Sequence, residues 1–114
     1  MPRRGTKEKR PEVVFEDGVL KVGAKSDPNK VAGAIAGCIR ESRRAEVQTI
    51  GAGALNQAVK AIAIARGYLS PGGLDIWCYP AFVDVQIGAA ERTAIRFFIE
   101  PREPSMRGSA PAKG

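Results

Sequence analysis

The chain has 114 residues, enough for one hydrophobic core and too few for two. A content of 44% hydrophobic and 26% charged residues is that of an ordinary folded domain. No histidine is present and only two cysteines, which excludes Ser-His-Asp and Cys-His nucleophiles and a four-ligand zinc site within one protomer; no metal and no cofactor are expected.

The formal charge of +6 lies in the ends. Residues 1–10 hold Arg3, Arg4, Lys7, Lys9 and Arg10 against Glu8, and residues 101–114 hold Arg102, Arg107 and Lys113 against Glu103. The ninety residues between them are balanced, ten basic and ten acidic. Basic arms of this kind either meet phosphates or serve as solubilising ends. The longest apolar runs, such as Ala61 to Ala65, fall far short of the ~20 residues that cross a bilayer. Met1-Pro2-Arg3-Arg4-Gly5 is followed by no apolar stretch of a secretory signal. A cytoplasmic protein without membrane partners is expected, nucleoid-associated if it binds DNA. Cys38 and Cys78 then read as reduced, buried thiols.

In chain order, residues 1–12 read as a disordered basic arm, 13–101 as the folded domain and 102–114 as a flexible tail. Gly18 to Ala24 is predicted as a strand. Ser26-Asp27-Pro28 starts a helix, with Ser26 or Asp27 as cap and Pro28 at the first helical position. Val31, Ile35, Cys38 and Ile39 then recur at helical spacing up to about Ser42. Gly33 and Gly37, four apart and costly in a helix interior, predict close approach to a neighbouring element.

Glu46 to Gly51 alternates and is predicted as a second strand. A second helix is expected from Ala54 to Arg66, ended by Gly67. Strands from Leu74 to Ile87, bent at Pro80, and from Thr93 to Glu100 complete the pattern, joined by a turn at Gly88-Ala89-Ala90. The fold class is therefore α/β (α+β), a β-α-β-α-β-β two-layer sandwich with a mixed four-stranded sheet and both helices on one face. The last two strands carry Ile95, Phe97 and Ile99 on one face and Ala94 and Phe98 on the other. A second apolar row needs a cover, so a homodimer or higher homo-oligomer is expected.

Gly51-Ala52-Gly53 lies between a strand and a helix, but Asn56 stands where a dinucleotide fingerprint has glycine, and no Gly-Lys-Ser/Thr follows. What remains is a helix start able to offer free N–H groups to an anion. Lys25, Ser26, Asn29 and Lys30 surround the start of the first helix in the same way. If parallel strands bring both turns to one edge, Asn56, Gln57 and Lys60 extend that patch. Trp77, Tyr79 and Phe82 are able to stack on bases, although their strand spacing suits a core or dimer interface better. Asp75, Asp84 and Glu91 read as solvated strand-edge carboxylates.

Lys21-Val22-Gly23-Ala24-Lys25-Ser26-Asp27-Pro28-Asn29 resembles the opening of the stage V sporulation protein S family. The eighteen residues from Ile50 to Gly67, with Gly51-Ala52-Gly53, Asn56-Gln57 and Lys60 among them, match its signature. Pro80 to Ile87 and Glu91 to Ile95 continue the match as far as Arg102. That family is similar in turn to the Alba superfamily of dimeric DNA- or RNA-binding domains, in which a basic pair after the first strand touches nucleic acid. Lys25-Ser26 stands at that position. The hairpin between the last two strands is expected to be shorter than the Alba arm.

The resemblance implies a non-enzymatic regulator linked to sporulation or developmental gene control. It would bind DNA or RNA through Lys25, Ser26, Asn29, Lys30, Asn56, Gln57 and Lys60, with Arg3, Arg4 and Arg10 of the arm assisting. The alternatives are a protein-interaction module that dimerises and docks a regulatory partner, and an enzyme acting on a phosphorylated small molecule at the glycine turn.

Overall fold

The computed structural model describes residues 13–102. The expected basic arm of residues 1–12, with Arg3, Arg4 and Arg10, and the expected tail from residue 103 on lie outside the described residues. Within them the elements run β1 (Val14–Glu16), β2 (Val19–Val22), α1 (Pro28–Ser42), β3 (Ala45–Thr49), α2 (Ala52–Leu69), a 3-10 turn (Ser70–Gly72), β4 (Ile76–Ile87) and β5 (Ala90–Pro101). The expected two-layer, broadly Alba-like α+β arrangement is present, with one more strand than the four predicted. The sheet order is β1-β2-β3-β5-β4, with β2 and β3 parallel and the other pairs antiparallel.

The added strand follows from a turn. Asp17 and Gly18 both have positive φ, 55° and 78°, which is the backbone of a two-residue hairpin matched to strand twist. It pairs Glu16 with Val19 and Val14 with Lys21.

Period-two alternation sends Leu20 and Val22 of β2, Val47 of β3 and Phe97 and Ile99 of β5 to one face, where both helices cover them. From α1 come Val31, Ile35 and Ile39, spaced four apart and all buried. α2 contributes Ala58, Ala61, Ile62 and Ala65. Ala32 and Ala36 of α1 are buried in the same cluster, and small side chains on both helices suit a chain poor in aromatics. The close approach predicted at Gly33 and Gly37 is absent, because a Cβ built at either meets no atom within 4 Å.

Gly67 does not end α2. The helix runs on to Leu69, which is 1% exposed and part of the core. Arg40 Nη2 donates to the Tyr68 carbonyl at 3.2 Å, satisfying one of the acceptors that a helix end leaves open. Pro71 and Gly73, with φ of 84°, then turn the chain.

The final hairpin departs most from expectation. Each of its strands has twelve residues, and register from Ile76–Pro101 to Ile87–Ala90 leaves only Gly88 and Ala89 as the connection. The connection is short and the arm is long. Pro80 sits on β4, the edge strand, where a residue without an N–H is best tolerated. No helix among the described residues is long and apolar enough to cross a membrane.

Candidate nucleic-acid interface

Parallel pairing of β2 and β3 places the chain segments that follow them at the same end of the sheet, and both segments enter helices. The first turn is built locally. Ser26 Oγ accepts from the Gly23 N–H at 2.9 Å, and Ser26 N–H donates to the Gly23 carbonyl at 3.1 Å. Asp27 is the cap of α1, its carboxylate accepting from the Asn29 N–H at 2.9 Å, and Pro28 takes the first helical position.

The second turn is drawn against the first. Gly51, with φ of 93°, precedes α2 and offers no side-chain cap. Gln57 Nε2 donates to the Ser26 carbonyl at 2.8 Å across 31 residues of sequence. Gly53 lies so close to the β2–α1 turn that an added Cβ would be 2.8 Å from Ala24 Cβ. This is the close glycine contact of the fold. Gly53→Ala gains helix propensity but forces an overlap, and we expect a net loss of about 1–3 kcal/mol in urea unfolding. Ala24→Gly in the same chain removes the clashing atom and should restore most of that loss.

Lys25, Asn29, Lys30, Asn56 and Lys60 are exposed, whereas Ser26 and Gln57 are half-buried. Lys60 lies one helical turn beyond Asn56 and Gln57 on the same face of α2. Among the described residues, Lys21, Arg44, Arg66, Arg96 and Arg102 have carboxylate partners, and Lys25, Lys30 and Lys60 have none, nor do Arg40, Arg43 and Arg92 elsewhere on the surface. Two of the predicted contact residues have structural work in this structure: the Ser26 hydroxyl closes its own turn, and the Gln57 amide ties the two turns together.

The aromatic residues of β4 are not in the protomer's core. Trp77 and Tyr79 share one face of the strand, opposite Glu100 and Phe98 of β5, and are 53% and 51% exposed. Phe82, on the other face, is 78% exposed. Tyr79 stacks on Phe98 with ring centroids 5.3 Å apart. The thiols differ from expectation as well. Cys38 is half-buried and Cys78 exposed, and both are free. Partial burial pushes each thiol up, helped at Cys38 by the nearby Glu41 charge, so both stay protonated near neutral pH.

Asp75 is no solvated carboxylate. Its side chain is 14% exposed and accepts from Arg66 Nε and from the Ile76 N–H, each at 2.9 Å, while Arg102 approaches to 3.8 Å. Burial works to raise its pKa, but the Arg66 and Ile76 hydrogen bonds and the charges of Arg66 and Arg102 outweigh it and hold the carboxyl below its ordinary value. The Arg102 N–H also donates to the Asp75 carbonyl at 2.8 Å, fastening the end of β5 to the start of β4. Asp75→Asn should cost about 1–3 kcal/mol at pH 7 by urea unfolding, since it leaves charged donors poorly matched. A depressed folded-state pKa means that this contribution is complete above the unfolded value of about 3.9 and is lost as pH falls through the folded one. The two proteins' stabilities should therefore converge in acid.

Among the described residues no group of three or more His, Cys, Asp or Glu is gathered as a metal would require. Two helix starts joined at one sheet edge, the glycine-bearing turn before α2 and the long final hairpin are carried by residues 18–102, the stretch matched by a single family model. The chain belongs to the stage V sporulation protein S (SpoVS) family, and that membership implies a link to sporulation.

Proposed function

We propose that this protein is a nucleic-acid-binding regulator whose backbone-contacting surface is the edge where α1 and α2 begin. The observation that supports it most is the set of unpaired cations there. Lys25 and Lys30 stand at the start of α1 and Lys60 two turns into α2, and among the described residues they have no carboxylate partner, as also Arg40, Arg43 and Arg92 elsewhere on the domain, while Lys21, Arg44, Arg66, Arg96 and Arg102 each have one nearby. Ammonium groups suit phosphate oxygens, as do the N–H groups that Gly51 leaves without a side-chain cap at the start of α2, whereas those of α1 are taken up by Asp27; such contacts carry no sequence information. Sequence-tolerant binding to DNA or RNA is the expected mode, with no reaction catalysed.

The protein acts as a homodimer in this reading. β4 is a twelve-residue edge strand with Asp84 as its sole charge, and Trp77, Tyr79, Phe82 and Ile87 on it are each at least half exposed. A long, nearly uncharged edge with large apolar side chains calls for a cover. A second copy supplies the same surface in return and doubles the cationic edge. Sedimentation should give a dimer at micromolar concentration, and Tyr79→Glu should shift it to monomer. The same exposed strand favours a second reading, a protein-docking module. A captured partner that survives nuclease and high salt, from a protein that ignores nucleic acid, would identify that case.

The test is chemical-shift mapping of the full chain with a duplex DNA and with a single-stranded RNA at low salt. Shifts should centre on residues 24–30 and 51–60. Absence of binding to both would remove the proposal.

A further inference from the structure

The open face of the sheet, opposite the helices, holds a second polar cluster. The far half of the β4–β5 hairpin and the ends of β2 and β3 line an open cavity of about 450 Å3. Lys21, Gln48 and Arg96 line it on the sheet side, and Ile50, Val85 and Ile87 supply apolar walls.

Gln48 carries the inference. It is only 7% exposed, and a buried amide leaves its hydrogen bonds unmade at a cost. Its Oε1 accepts from both Nε and Nη2 of Arg96, the first at 3.2 Å. Two guanidinium donors fix the amide's orientation, because the reversed group would set donor against donor. Nε2 is thereby directed away from Arg96, and it has no acceptor among the described residues. The neighbouring buried polar residue, Thr49, shows the contrast: its hydroxyl is satisfied by the Ile95 carbonyl at 3.1 Å.

The carboxylates nearby do not close the site. Glu16 holds Lys21 at 3.1 Å, but this is a surface pair of the kind that contributes little. Glu46 lies 3.5 Å from Arg96, and its other oxygen is held by Arg44 at 2.6 Å, so it keeps a partner if Arg96 turns to a ligand.

We propose that this cavity binds a small organic acid. An anionic oxygen, of a carboxylate or a phosphate ester, accepts from Gln48 Nε2 between Lys21 and Arg96, and an apolar body rests on Ile50, Val85 and Ile87. Occupancy braces the hairpin against the open face. The site adjoins the helix edge, for Gly23 and Ile50 of the two turns line it, but it lies on the open face and its occupancy does not depend on nucleic-acid binding.

The test uses the 15N-labelled full chain and three probes: hexanoate, uridine monophosphate and inorganic phosphate. Hexanoate or uridine monophosphate should move the Gln48 side-chain amide and the backbone of residues 85–87 saturably, which also tells a carboxylate from a phosphate ester. Phosphate, lacking an apolar body, should bind more weakly. Val85→Trp, which fills the cavity and keeps the donors, should weaken binding about tenfold or more. Gln48→Glu should do the same, read at residues 85–87, since a hydrogen bond to a charged group is replaced by repulsion. No movement with any probe at about 10 mM, roughly tenfold above a millimolar Kd, would overturn the assignment. Shifts confined to residues 24–30, or affinity unchanged in both variants, would overturn it equally.

Discussion

Replacing Lys25, Lys30 and Lys60 together by alanine is expected to lower duplex DNA affinity roughly 100-fold or more near 0.1 M salt. Each cation that meets a phosphate releases condensed counterions, so log affinity falls with log salt by about 0.9 per contact. Losing three contacts per protomer should flatten that slope by about 2.7 per protomer. The fold should not change, because all three side chains are exposed and none has a carboxylate partner among the described residues. Filter binding across a salt series measures both quantities. An unaltered slope in the triple variant would move the contact surface elsewhere, the hairpin arm being the next place to look.

Leu69→Ala is expected to cost about 2–5 kcal/mol by urea or thermal unfolding, the range for emptying a well-packed aliphatic site. Leu69 is 1% exposed and packs in the cluster with Ile39, Ala65 and Ile76. An exposed leucine past the helix would cost well under about 1 kcal/mol, so the size of the effect reports whether Leu69 belongs to the core.

That position shows what was legible in the chain and what was not. Apolar spacing identified α1 to within a residue, because Val31, Ile35 and Ile39 state one face and Asp27-Pro28 states a start. Gly67 misled, since glycine commonly ends helices and nothing local reveals that Tyr68 finds a donor in Arg40, 28 residues away. β1 was missed although its signal was present: Asp17-Gly18 between short apolar pairs is the strongest short-range mark of a two-residue hairpin. The length of the final arm was legible only as two runs of alternation, and their pairing register decides how far the arm extends.

At the candidate interface, the exposed lysines and the cap could be read from residue type and spacing. The clasp between the turns could not. Gln57 to Ser26 and Gly53 to Ala24 are contacts between segments about thirty residues apart, set by the parallel crossover and not by local pattern. Gly33 and Gly37 advertised the same kind of contact and have none. The Gln48–Arg96 pair was hidden for a similar reason, because β3 and β5 meet only after the whole sheet forms.

The most direct measurement is an anisotropy titration of labelled duplex DNA and single-stranded RNA across a salt series, with the intact chain and with residues 1–10 removed. The shortened protein should still bind at low salt, with a shallower but clearly negative slope, as expected if Lys25, Lys30 and Lys60 supply phosphate contacts of their own. Binding that vanishes with residues 1–10, or no binding to either polymer by either protein, would contradict the proposal.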